Sequence, residues 1–339
     1  MRVARVVRET ADAVTLVLED TGGEAVRFSA GQFFTLHVRL GGGEIAKRAY
    51  SASSSPLDPL RVSVTVKRVE GGCVSTHIVE NMREGELLDV LGPSGSFTPA
   101  PATGPRRIVL VGGGSGITPL ASIARTLLAT EPETQIVLVY GNRAWRDVIF
   151  RDALEELVQR HAASGRFVLR HVLETPPPGW TGGAGRLDGA ALLRELQSLD
   201  PAMPSEYFLC GPDPMMHTVR TALAANGVAN ASIHEERFVS AHASSSSPVA
   251  TQTVVVRSRA GMHSLPVPPG KTVLEAALDA CVDMPFSCTV GGCGACRVRL
   301  VEGSLAMDEP NCLTPEERAG GYVLACVSRP GGPCTLEVV

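Results

Sequence analysis

At 339 residues the chain exceeds the ~250–300 at which single hydrophobic cores stop growing, so two or three domains are expected. Hydrophobic residues at 44% and charged residues at 19% fit a folded, soluble chain and exclude disorder or a fibrous repeat. A net charge of −4 without any lysine/arginine run excludes both a global basic field for nucleic acid and a polybasic membrane patch.

The N-terminus is broken by Arg2, Arg5 and Arg8 where a secretory signal needs an unbroken apolar stretch, and no apolar run approaches the ~18 residues of a membrane span. A cytoplasmic protein is expected. Nine cysteines, an odd count, argue against a full disulfide framework. From Met1 to about Pro99 short alternating segments recur: Val14, Leu16 and Leu18; Phe34, Leu36 and Val38; Val62, Val64 and Val66. Glycine turns at Gly22-Gly23, Gly41-Gly42-Gly43 and Gly71-Gly72 punctuate them. This pattern predicts an antiparallel β-barrel.

Two motifs stand out in the barrel. Arg48-Ala49-Tyr50-Ser51 offers a fork-shaped permanent cation, an aromatic face and a small hydroxyl. Gly71-Gly72-Cys73-Val74-Ser75-Thr76 is a glycine turn leading into a helix through Ile78, Val79 and Met82. A helix start with hydroxyls and unsatisfied N–H groups suits a pyrophosphate.

Past the seam at Pro99–Pro105, apolar runs alternate with helical patterns: Ile108–Val111, Ile136–Tyr140, Phe167–Leu173 and Tyr207–Cys210, with a helix predicted over Val148–His161. Continuous apolar strands joined by helices predict an α/β domain whose parallel sheet is covered on both faces. Its first strand runs into Gly112-Gly113-Gly114-Ser115-Gly116-Ile117-Thr118-Pro119 and then a helix, a nucleotide cradle. The cradle lacks the glycine spacing of the dehydrogenase fingerprint and the Lys-Ser/Thr of an NTPase loop. Arg143 follows the second strand, where it could meet a 2′-phosphate or simply face water. Cys210-Gly211-Pro212 closes a later strand at the carboxyl edge of the sheet, where ligands of α/β proteins bind.

A serine-rich tether, Ala241–Ala250, separates a C-terminal unit. In it Cys288, Cys293, Cys296 and Cys326 follow C-x4-C-x2-C, 29 residues, C, the plant-type [2Fe–2S] spacing. Gly291, Gly292 and Gly294 clear side chains from the loop and leave backbone N–H groups to face the sulfurs. Zinc would more often take paired C-x2-C knuckles or histidines, and a zinc-stapled, colourless interaction module is the competing reading. Thr272–Glu275 and Thr314–Glu317 read as capping boxes, the first opening a short helix with Ala277 and Leu278 inward. Cys73, Cys281, Cys312 and Cys334 lack ligand spacing and are expected as small packed side chains.

In this order the motifs resemble the ferredoxin–NADP reductase superfamily, and residues 251–339 resemble a plant-type ferredoxin. The whole chain is similar to the three-domain oxygenase reductases, such as those of phenylacetyl-CoA epoxidases and 3-ketosteroid 9α-hydroxylases. The resemblance implies an FAD-binding β-barrel at 1–102, an NAD(P)-binding α/β domain at 103–240, a linker at 241–250 and a β-grasp [2Fe–2S] domain at 251–339. It implies FAD contacts from Arg48, Ala49, Tyr50, Ser51, Val66, Lys67, Gly72, Val74, Ser75 and Thr76, with Ser51 approaching the flavin N5. It places NAD(P) on Gly112, Gly113, Gly114, Ser115, Gly116, Thr118, Pro119, Gly211 and Pro212, with Cys210 beside the nicotinamide. His234–Phe238 resembles the closing segment of the family, which puts Glu236 and Phe238 near the flavin. The implied activity is electron transfer from NAD(P)H through FAD and the cluster to a separate di-iron or Rieske oxygenase. A hybrid-cluster protein or a small carrier is the alternative acceptor, and a flavin-bound redox sensor is a third reading.

Overall fold

The computed structural model describes residues 1–40, 45–238, 250–259, 261–280, 282–289, 291–308 and 311–338, apart from the side chains of Lys47 and Pro315. Gly41–Gly43, Cys281 and all of the tether but Ala250 lie outside the described residues. By contact the chain divides into two compact units. One comprises Met1–Ala46, Tyr50–Pro93 and Phe97–Arg237, and the other Phe238–Val339 with the short stretches Lys47–Ala49 and Ser94–Ser96.

Strands β1 (Arg2–Thr10), β2 (Ala13–Glu19), β3 (Phe33–Arg39), β4 (Ile45–Ser51), β5 (Arg61–Lys67) and β6 (Asp89–Ser94) form the N-terminal barrel, with helix α1 (Cys73–Asn81) inserted before β6. Two three-stranded sheets, β1-β2-β5 and β4-β3-β6, are joined by a bridge between Ala52 and Val64. The nine alternating residues of the sequence pattern are all at most 3% exposed, so the period of two marks the inward face. β1 goes beyond the expectation: its valines alternate with arginines and read as polar, yet it pairs along β2.

The second lobe of this unit is a parallel sheet in the order β10-β9-β8-β7-β11-β12, built from β7 (Arg107–Gly113), β8 (Gln135–Ala144), β9 (Phe167–Thr175), β10 (Gly183–Ala184), β11 (Ser205–Cys210) and β12 (Ile233–Glu236). Helices α2 (Ile117–Thr130), α3 (Arg151–His161), α4 (Gly189–Leu196) and α5 (Asp213–Ala225) cover it. Ile108 and Leu110 enter one core with α2 and α3, while Val109 and Val111 enter another with α4 and α5. That two-sided burial explains the continuous apolar strands.

The apolar pattern predicts a helix from Val148, but α3 starts at Arg151. Val148 and Ile149 are buried in a turn, and Phe150 holds a left-handed φ of 61° that no helix can pass through.

Below the sheet Arg106 ties the lobe together. It pairs with Glu131 (Nη2–Oε1 3.0 Å) and Glu206 (Nη1–Oε1 2.9 Å) and donates to the Ala100 carbonyl (2.7 Å). Arg106→Ala would remove the cation that Glu131 and Glu206 share, and a loss of about 3 kcal/mol is expected. The denaturant midpoint should fall without a change in slope.

The second unit contains β13 (Gln252–Ser258), β14 (Gly261–Val267), α6 (Val273–Asp279), β15 (Arg297–Glu302), β16 (Leu305–Met307), α7 (Pro315–Ala319), β17 (Tyr322–Leu324), β18 (Ser328–Pro330) and β19 (Cys334–Val338). Its five-stranded sheet runs β14-β13-β19-β15-β17, and a parallel β13/β19 pair sits in an otherwise antiparallel set. This is the β-grasp arrangement. Both capping boxes form: Thr272 with Glu275 opens α6, and Thr314 with Glu317 opens α7. Ala277 is buried as expected, but Leu278 is 43% exposed, and Leu274 fills the core in its place. The helix stops one residue after Leu278, at Asp279, so its last turn reaches past the core.

Candidate functional site

The strand order reverses between β7 and β11, because β8 to β10 lie on one side of β7 and β11 and β12 on the other. Such a switch point leaves a crevice at the carboxyl ends of the two central strands. Both predicted nucleotide motifs open there. Gly112 is in register with Cys210, and Cys210 with Glu236, so three residues from distant segments stand side by side.

The glycine loop lies directly on the Cys210–Gly211 backbone. A Cβ at Gly116 would fall 2.0 Å from the Cys210 carbonyl oxygen. The Tyr140 hydroxyl donates to the Gly114 carbonyl (2.9 Å), and that of Thr118 to the Ser115 carbonyl (3.1 Å), fixing the loop from beneath. Gly113, Gly116, Thr118 and Pro119 are buried, whereas Gly114 and Ser115 form the more open tip. A cradle this tight to neighbouring backbone, with its tip half-open, fits a phosphate chain bound by main-chain N–H groups.

Across the crevice, Ser51 at the end of β4 is buried and donates its hydroxyl to Glu236 Oε2 at 3.1 Å, over 185 residues of separation. Cys210 is fully buried beside them. Burial, reinforced by the Glu236 carboxylate, pushes its thiol well above the ordinary range, so it stays neutral. The neighbouring Glu235 points to the opposite face, where Arg220 holds it at 2.8 Å. Tyr50 is half-buried beside Ser51 and packs against the barrel core; Arg48 is exposed on the same strand, with Ala49 partly buried between them.

In the glycine-turn motif, α1 begins after Gly72 without a side-chain cap. The Ser75 hydroxyl is turned into the loop, accepting from Val69 N–H (3.1 Å) and donating to the Gly72 carbonyl (3.3 Å). Thr76 is half-buried, while Val74 and Val66 point into the barrel core, which leaves their main chain for a ligand. Lys67 is paired with Asp12 at 3.6 Å. Cys73, expected to be packed, is exposed: it starts α1 on the side away from Val74 and Ile78. Phe238, 41% exposed, is the last residue described before position 250.

The four spaced cysteines converge in the second unit. Cys288 is hydrogen-bonded to Cys293 and to Cys326, and Cys326 also to Cys296. Among the described residues no group of three His, Cys, Asp or Glu side chains stands as it would about one ion; the four thiols form a chain of contacts from Cys293 through Cys288 and Cys326 to Cys296. Backbone donors approach the sulfurs, Gly291 N–H to Cys326 Sγ at 3.2 Å and Ala295 N–H to Cys293 Sγ at 3.4 Å. Thr289, Gly291 and Gly294 all take positive φ in the loop. Four thiols with main-chain N–H groups aimed at them suit an anionic iron–sulfur cluster. Cys334 is packed as expected, and Cys312 is half-buried near the loop, 3.6 Å from where a Gly294 Cβ would stand.

One group escaped the sequence. At the carboxyl ends of β8 and β9, Trp145 packs against His171 (5.1 Å) and Trp180 (5.5 Å), with Tyr140 beyond His171 (5.9 Å). Burial lowers His171 to about 4, so the ring is neutral at ordinary pH. The available signal was that Trp145 and Trp180 are the only tryptophans in the chain. Arg143 is exposed at the same strand end.

Family models match three successive stretches: an oxidoreductase FAD-binding domain at residues 2–98, an oxidoreductase NAD-binding domain at 110–221 and a 2Fe-2S iron-sulfur cluster binding domain at 260–331. Fold and sites thus define an oxidoreductase that binds FAD, NAD and a [2Fe–2S] cluster. The chain is 36% identical over 352 residues to one of the subunits of 1,2-phenylacetyl-CoA epoxidase from Escherichia coli strain K12, covering 100% of this chain and 96% of that protein. It is 33% identical over 347 residues to the ferredoxin reductase component of 3-ketosteroid-9-alpha-monooxygenase from Rhodococcus rhodochrous, covering 97% and 93%. Among solved structures, phthalate dioxygenase reductase superimposes with a TM-score of 0.66 at 26% identity, covering 99% of this chain and 96% of that one. The chain belongs to the three-domain oxygenase-reductase family within the ferredoxin–NADP reductase superfamily, as the order of its motifs implied.

Proposed function

We propose that this reductase takes electrons from a reduced nicotinamide dinucleotide and passes them through FAD and the cluster to a separate terminal oxygenase. The observation that carries this reading is the Ser51–Glu236 hydrogen bond beside buried Cys210, because it joins the barrel motif to the carboxyl edge of the nucleotide sheet. When bound, FAD accepts a hydride as an electron pair and releases electrons singly, which the [2Fe–2S] cluster takes one at a time.

The residues of the chain divide that work. Arg48, Thr76 and the first-turn N–H groups of α1 hold the FAD phosphates, and Tyr50 supplies an aromatic face for the flavin ring. The Ser51 hydroxyl, its proton donated to Glu236, would stand at the flavin edge as an acceptor, and the neutral Cys210 thiol keeps the nicotinamide side dry. The loop from Gly112 to Pro119 holds the dinucleotide phosphates, while Trp145, Trp180 and Arg143 receive the adenosine end. Cys288, Cys293, Cys296 and Cys326 would ligate the cluster.

We take the domain limits as 1–102, 103–240 and 251–339, supported by the end of the last barrel strand at Ser94 and the start of the parallel sheet at Arg107. We assign the protein to the cytoplasm: the described cysteines are free thiols, as a reducing compartment favours. Among the described residues no helix is long and apolar enough to cross a membrane.

The test is anaerobic mixing of the loaded protein with reduced nicotinamide dinucleotide. Both flavin and cluster absorbance should bleach, and adding an oxygenase component should restore them as that partner is reduced. Failure of either chromophore to bleach sinks the reading. Reduction of small carriers but of no oxygenase would favour the alternative acceptor.

A further inference from the structure

The first unit holds a cavity of 370 Å³ that shares no residue with the nucleotide crevice. This volume is in the range of small-molecule sites, roughly 300–1,000 Å³. One wall belongs to the barrel, with Arg5, Arg8 and Glu9 from β1; the other belongs to the nucleotide lobe, with Arg125 from α2 and Arg151 and Asp152 from the start of α3. Three arginine side chains, Arg5, Arg125 and Arg151, face two carboxylates, while Arg8 turns its Nη2 to the Val79 carbonyl (3.1 Å), in a chain whose net charge is −4.

Both acids already have partners. Glu9 accepts from the Thr15 hydroxyl at 2.6 Å, and Asp152 pairs with Arg151 at 3.0 Å. Arg125 is the most fixed of the cations: Nη1 donates to the Ser53 carbonyl (2.6 Å) and its guanidinium lies 4.9 Å over the Phe150 ring. A guanidinium anchored through one nitrogen keeps a planar edge of further donors for an oxyanion. Phe150 is one of two non-glycine residues at positive φ among the described residues, and the other, Thr289, lies in the cluster loop. Backbone strain of this kind concentrates where a site must be held in shape.

We propose that this cavity binds a small oxyanion of the phosphate type, clamped between β1 and the α2–α3 face. The excess of positive charge attracts an oxyanion, and guanidinium forks match its oxygens. Because the walls come from different lobes, occupancy would favour the joined state of the unit.

The experiment uses the full-length protein loaded with FAD and cluster, saturated with NAD⁺ and titrated with inorganic phosphate at constant ionic strength. Expected are one saturable phosphate per chain and a rise in Tm with phosphate concentration. Arg5→Glu and Arg151→Glu, at accessible positions on opposite walls, should each weaken binding at least about tenfold. Arg160→Ala, an exposed arginine of α3 outside the cavity, should leave it unchanged. Absence of saturable binding, native affinity in both charge-reversed variants, or binding seen only without NAD⁺ would each overturn the proposal. Phosphate binding is read independently of electron transfer, so this outcome and that of the bleaching test are separable.

Discussion

Gly116→Ala is expected to leave a protein that takes up FAD and cluster but has lost most of its affinity for the nicotinamide dinucleotide. The added methyl would stand 2.0 Å from the Cys210 oxygen, 2.4 Å from its carbonyl carbon and 2.8 Å from Gly211 N, all main-chain atoms that cannot rotate aside. The loop must lift from β11, at a cost of about 1–3 kcal/mol for such overpacking. The backbone itself raises no objection, because Gly116 has φ −61°, which suits alanine. Gly114 is the counterpart: its φ of 54° disfavours a side chain, but a Cβ there meets nothing within 4 Å. Gly114→Ala should therefore show only the strain of a left-handed residue, about 1–2 kcal/mol. Titrating dinucleotide against both variants separates the two causes: a larger loss of affinity in Gly114→Ala than in Gly116→Ala would contradict the packing described for the loop.

Cys326→Ser is expected to separate the two halves of the electron path. The variant should stay yellow and bleach its flavin with reduced dinucleotide at the native rate, while reduction of one-electron acceptors falls to background. Cys326 lies 30 residues beyond Cys296 in the chain, yet within hydrogen-bonding reach of both Cys288 and Cys296, and receives the Gly291 N–H. Serine keeps the shape but offers a poor soft ligand. Cys312→Ser is the control, since that thiol borders the loop without belonging to the spaced set, and it should retain cluster absorbance. Iron and sulfide analysis beside stopped-flow spectra would check both variants, and full acceptor turnover in Cys326→Ser would refute the assignment.

Legibility followed the range of the forces involved. The capping boxes and the strands β2, β3 and β5 could be read because each depends on spacing within a few residues or on one buried face. β1 escaped for a physical reason: its arginines line the seam cavity while Val3 enters the barrel core, so neither face looks simply apolar. The start of α3 was misplaced because Val148, Ile149 and Phe150 continue the apolar pattern of a helix while belonging to a turn. The Ser51–Glu236 contact spans 185 residues and was not predicted; family likeness only put each residue near the flavin. The Trp145–His171–Trp180 cluster depends on how β8 and β9 end side by side, which local pattern does not encode.

The shared alignment of Gly112, Cys210 and Glu236 bears on how this protein can change over time. Adjacent positions along a strand face opposite sides, so inserting or deleting one residue within β7, β11 or β12 would turn its contribution away from the crevice. Glu235, held by Arg220 on the other side, already shows what such a slip would bring forward. Drift in length should accordingly accumulate in the helical connections, while the ends of these three strands admit exchanges of residue type only.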